Sequence, residues 1–80
     1  MPISELSAVE RIARVLAGQR LSANAKGSDP SAADAVDREW DVHVDDAIAV
    51  LKTLREPDPA MAAAGDPAVW ERMVEAALNR

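Results

Sequence analysis

The chain has no cysteine, no tyrosine, no phenylalanine, a single histidine and three glycines in eighty residues. Without cysteine, neither a disulfide nor a thiolate-held metal can staple a domain this small. With one histidine and no tyrosine or cysteine, the repertoire of nucleophiles and general acids is thin. No glycine-rich phosphate loop, Gly-x-Ser-x-Gly elbow or Asp-x-Asp-x-Asp-Gly calcium loop can be drawn. No apolar run approaches the roughly 18 residues of a membrane span. The N-terminus carries acids and an arginine where a secretory signal needs an apolar stretch. These shortages predict a cytoplasmic, non-enzymatic protein with no cofactor, no small-molecule substrate and no membrane partner.

What is present is alanine and acid. Seventeen of the 39 apolar residues are Ala, so the 49% hydrophobic fraction supplies little core volume. The large apolar side chains are Leu, Val, Ile and Met with two Trp. A chain of this length makes one domain at most, so residues 1–80 are expected to form a single helical domain. Such a domain buries only about 60% of its unfolded surface and is marginal alone. The net charge of −5 is uneven: residues 1–27 hold four basic and two acidic side chains, residues 28–80 five basic and twelve acidic. An acidic body is repelled by phosphate backbones and anionic membranes, which disfavours nucleic acid as a partner.

Helical spacing runs through most of the chain. Residues 4–20 read as a first helix on the recurrence of Leu6, Val9, Ile12, Ala13 and Leu16, with Val15 widening the stripe. A face that broad suits a helix touched by more than one neighbour. Ser4 is one candidate N-cap, and Ser7-x-x-Glu10 has capping-box spacing a turn later. Gly18 is a weak stop, and residues 21–28 read as a flexible loop. Asp29-Pro30 then opens a second helix over 30–55, with Asp as N-cap and Pro at the first helical position. Ala33, Val36, Trp40, Val44, Ala47, Ile48, Leu51 and Leu54 fall within roughly 120° of one another. Pro57 pushes residue 56 out of the helical region and ends the element. A helix over 30–55 would run about 39 Å, longer than the roughly 30 Å of a compact 80-residue domain. It therefore breaks near 41–46 or overhangs, and the unbroken phase of the stripe favours one continuous helix.

Asp58-Pro59 and Asp66-Pro67 repeat the same N-terminal device. They predict a short helix over 59–64, closed by Gly65 as a left-handed cap, and a last helix over 67–79. The last helix carries Val69, Trp70, Met73, Val74, Ala77 and Leu78. The expected fold is all-α: a small bundle of three main helices, about 4–20, 30–55 and 67–79, with the short helix as its corner.

Three constellations are candidates for function. His43 is flanked by acids, and Glu39, His43 and Asp46 are one-turn neighbours on a helix, so they could hold a divalent metal. A zinc site wants several His or Cys ligands, which makes a solvated surface histidine the simpler reading. Arg11, Arg14, Arg20 and Lys26 could mark a nucleic-acid patch on the first helix, with Arg11 and Arg14 three apart. Glu10 intervenes and no aromatic side chain is there to stack on bases, so pairing with the acidic second helix is the simpler reading. Trp40, Val44, Ile48, Leu51, Trp70, Met73 and Val74 are the expected core and interface anchors, with the two Trp expected to meet each other as the anchor of the fold.

The stretch "AIAVLKTLREPDPAMAAAGDPAVWERMVEAAL", with Trp40 upstream, resembles a group of small uncharacterised proteins of alphaproteobacteria and their prophages. In those proteins a helix ends in Leu-Arg-Glu-Pro, an Ala-Met-x-x-Ala-Gly turn follows, and Trp-x-x-Met-x-x-Ala-Ala-Leu closes the chain. The likeness covers about residues 36–80. It implies a recurring helical module and carries no activity. The expected function is therefore a protein-interaction module that forms a homodimer through the second or last helix. The alternative is an antitoxin-like or inhibitor-like accessory protein using the basic residues of the first helix or the acidic surface.

Overall fold

The computed structural model describes residues 3–25 and 32–79, and among these there is no strand. The elements in chain order are α1 (Ala8–Ala25), α2 (Ala32–Glu39), a 3-10 turn (Trp40–His43), α3 (Val44–Leu54), α4 (Pro59–Ala64) and α5 (Pro67–Leu78). The predicted all-α bundle is the observed one, with its bounds shifted in places by identifiable local chemistry.

Helix α1 starts a turn later than Ser4 allows and ends a turn beyond the predicted stop. Ser7 Oγ accepts from the Glu10 amide at 3.1 Å, so the later of the two cap positions is used. Ser4 Oγ instead accepts from the Leu6 amide within the preceding bend. Gly18 does not stop the helix. A Cβ built on it would lie 3.8 Å from a methyl of Val36, so Gly18 sits where α1 crosses α2. Residues 21–25, expected as loop, continue α1. The rest of that loop (26–28) and the Asp29-Pro30 start lie outside the described residues.

The second helix is not one continuous α-helix. Glu39 (φ −117°, ψ −7°) and His43 (φ −99°, ψ 9°) bracket a 3-10 turn, within which the Val44 amide bonds to the Asp41 carbonyl. The reason is compositional: "DVHVDD" joins β-branched residues, Asp and His, all weak helix formers. The change of pitch also breaks the phase of the stripe. Upstream of the turn Ala35 is buried, and Ala33, which the 100° periodicity placed inside, is exposed. Helix α3 ends at Leu54, ahead of Glu56-Pro57 as predicted.

Both later Asp-Pro pairs act as caps. Asp58 Oδ1 accepts from the Met61 amide and Asp66 Oδ1 from the Ala68 amide, each at 2.9 Å. Gly65 corrects the expectation of a left-handed cap: its φ of −161° and ψ of −157° are extended backbone open to any residue. The chain leaves α4 by extending straight into the Asp66 cap, so α4 needs no left-handed residue.

Helix α1 is the spine, packing on α2, the 3-10 turn and α3 along its length, while α5 closes mainly onto α3. The core is small. Val9, Ala13, Ala47, Leu51 and Val74 form its buried cluster, and only Val9 among them combines complete burial with a side chain larger than alanine. Val9, Ala13 and Ala17 recur every fourth residue as the buried face of α1, and Val9 and Ala13 share a cluster with Ala47, which lets α1 and α3 approach closely. Ile12, Leu16, Trp40, Val44, Ile48 and Trp70 pack around that cluster half-buried. Leu6 and Val15, expected on the inner stripe of α1, are 46% and 61% exposed.

The body measures 41 × 25 × 25 Å with a radius of gyration of 14.9 Å. A compact domain of this length would have about 12 Å. Its accessible surface of 5990 Å² exceeds the roughly 4,700 Å² expected for a monomer of 8.5 kDa.

Candidate interaction surface

Arg14 is the polar hub of the molecule. Its Nε donates to Glu10 Oε2 at 2.8 Å, one turn back on α1. Its Nη1 donates to Asp37 Oδ1 at 2.6 Å, across on α2. The guanidinium lies 5.5 Å from the centroid of the Trp40 ring, within reach of a cation–π contact. The hydrogen bond to Asp37, then that to Glu10, raises the guanidinium pKa above its ordinary value. Arg14 is thus a clamp between α1, α2 and the 3-10 turn. Its charge is matched by two carboxylates, and it is not presented to solvent as part of a basic patch. Arg11, another expected member, points elsewhere and lines a groove beside α5.

His43 is half-buried in the 3-10 turn. It lines a small hollow with Arg20, Glu39 and Val42, so the structure brings Glu39 and His43 together. Asp46 is exposed and does not line that hollow. Among the described residues no group of three His, Cys, Asp or Glu is placed to hold a metal ion. The cation of Arg20 beside the same hollow opposes a second cation there.

The expected anchors divide into two sets. Leu51 and Val74 are buried, and Trp40, Val44, Ile48 and Trp70 are half-buried against them. The two Trp, expected to meet each other, instead have different partners. Trp40 lies under Arg14, whereas Trp70 Nε1 donates to the Leu54 carbonyl at 2.7 Å. That carbonyl belongs to the last turn of α3, whose acceptors lack partners within the helix. Met73 is different, for it is 62% exposed.

Met73 stands at the centre of an open apolar surface. On one side it lines a groove with Ala8 and Arg11 of α1, floored by Leu51 and Val74. On the other it lines a cleft with Pro57, Met61 and Val69 at the α4–α5 corner. The α1 wall continues outward through Ile12 and Val15. Sequence reasoning counted Met73 among the core and interface anchors, placed Val69 on the apolar stripe of the last helix and left Met61 unassigned. Two signals were available: Ala8, Ile12 and Val15, and likewise Val69, Met73 and Ala76, follow four-then-three spacing. Each is a second apolar stripe offset from the buried one.

No protein-family model matches the chain, and neither curated proteins nor solved structures show a significant likeness to it. No described helix is long and apolar enough to cross a membrane.

Proposed function

We propose that this protein is a non-enzymatic helical interaction module that associates with a second copy of itself. The observation that carries the proposal is the apolar surface centred on Met73, left open by a domain whose own core is too small to cover it. The apolar stripe of α2, the 3-10 turn and α3, the other expected dimer face, packs largely against α1 and is much less available.

The nucleic-acid alternative has less to support it, because Arg14 is committed to Glu10 and Asp37. Multi-angle light scattering tests the proposal. At high micromolar concentration the expected mass is about twice 8.5 kDa. A strict monomer at that concentration overturns it. Binding to any DNA duplex at low salt, lost on Arg11→Glu with Arg14→Glu, would favour the alternative instead.

A further inference from the structure

We propose that α2 is a latch: it undocks from α1 as a unit, turning at Glu39, while α1, α3 and α5 stay packed, and ionic strength sets how much of the time it is closed. The latch is independent of self-association. Three observations lead there.

The first is where α2 packs. Its neighbours are α1 and the 3-10 turn, whereas α3 and α5 pack on each other and on α1. No α2 residue belongs to the buried cluster or to the side chains packed around it. Between residues 33 and 39 only Ala35 is buried and Val36 half-buried, and the other five side chains are exposed. An element held by so little apolar area opens at a lower free energy than the body that carries it.

The second is the joint. Glu39, at φ −117° and ψ −7°, leaves helical values, and its side chain does not cap the turn that follows. The next residue, Trp40, already packs on the buried cluster. The moving part therefore ends at Glu39, and the change of pitch lets α2 turn there without unwinding α3.

The third is charge. Helix α2 carries three acids and one base, and α1 three bases and one acid. They are joined by Arg14 Nη1 and Asp37 Oδ1 at 2.6 Å, with the Asp37 side chain 65% exposed. Among the described residues this is the only ion pair between elements. Salt screens an exposed pair of this kind. When Asp37 lets go, Arg14 keeps Glu10 and Trp40, because neither moves away with the latch. Opening thus separates Val36 from Gly18 without leaving the Arg14 cation unmatched.

Hydrogen exchange of the whole chain, followed amide by amide by NMR, tests the latch. At low salt residues 36–39 are expected to be at least about tenfold less protected than residues 48–51 of α3. In about 1 M sodium chloride, where the screening length is about 3 Å, their protection should fall by a further two- to fivefold, roughly, with no loss at 48–51. Asp37→Asn should give that lower protection already at low salt and remove most of the salt response. Asparagine has nearly the helix propensity of aspartate, and losing a negative charge from the last turn by itself favours a helix. A helix that merely frayed would therefore gain protection from this substitution. Equal protection of the two segments in the wild type, unchanged or raised protection of 36–39 in Asp37→Asn, or a matching salt-induced loss at 48–51 each overturns the latch.

Discussion

Replacing Val9 with alanine tests whether the core is as small as it looks. Val9 is 0% exposed and sits where α1 faces α3, with Ala13 and Ala47 as its fully buried companions. The substitution removes two methyl groups, worth about 1.6 kcal/mol in transfer free energy at roughly 0.8 kcal/mol per carbon. The neighbouring alanines have no rotamers with which to fill the gap, so a cavity term adds to this, giving about 2–3 kcal/mol in all. A domain of this size has roughly 4–12 kcal/mol to lose, so the fraction is large. The expected fall in melting temperature is about 10–20 °C. Urea unfolding followed by circular dichroism at 222 nm measures the loss of stability and a thermal melt the shift in midpoint, with protein concentration held fixed because association would otherwise contribute. Val42→Ala, at a side chain 77% exposed, is the control and should stay within about 0.5 kcal/mol of wild type. A loss below about 1 kcal/mol for Val9→Ala would refute the packing of α1 on α3 as the centre of the fold.

Asp66→Ala removes the side-chain acceptor of the Ala68 amide and should cost about 1 kcal/mol in chemical denaturation. Its effect on dimer affinity should be small by comparison. Gly18→Ala should stabilise by roughly 0.5–1 kcal/mol, because the new methyl meets Val36 at ordinary contact distance and a mid-helix glycine is relieved. Gly65→Ala should be neutral or mildly stabilising, since the backbone there is extended and nothing lies within 4 Å of the added carbon. Either glycine variant destabilising in a thermal melt would contradict these geometries. Trp70→Phe keeps the ring against the core and loses the bond to the Leu54 carbonyl, for an expected cost of about 1 kcal/mol in urea unfolding. An unchanged midpoint would show that water replaces the indole donor without loss.

The helices after residue 55 were legible almost to the residue because their signals are local. Asp58-Pro59 and Asp66-Pro67 each supply an acceptor and a fixed φ, and these act whatever the rest of the chain does. The boundaries that shifted depend on neighbours. Gly18 weakens a helix in isolation, yet α1 runs on past it, where it packs against Val36 of α2. The 3-10 turn at Trp40–His43 reflects poor helix formers that hydrophobic phase alone could not reveal. The same limit applies to the surface. The spacing of Val69, Met73 and Ala76 was visible, but buried and open apolar stripes look alike until the helix that covers one of them is known. Val74 lies in the buried cluster with Val9 of α1 and Leu51 of α3, whereas Met73, its neighbour in sequence, is exposed.

Sedimentation equilibrium over a concentration series, from low to high micromolar, tests self-association most directly. The predicted result is a reversible monomer–dimer equilibrium whose upper limit is about twice 8.5 kDa and which Met73→Glu shifts to monomer. A wild-type mass that stays at 8.5 kDa across the whole series would contradict it.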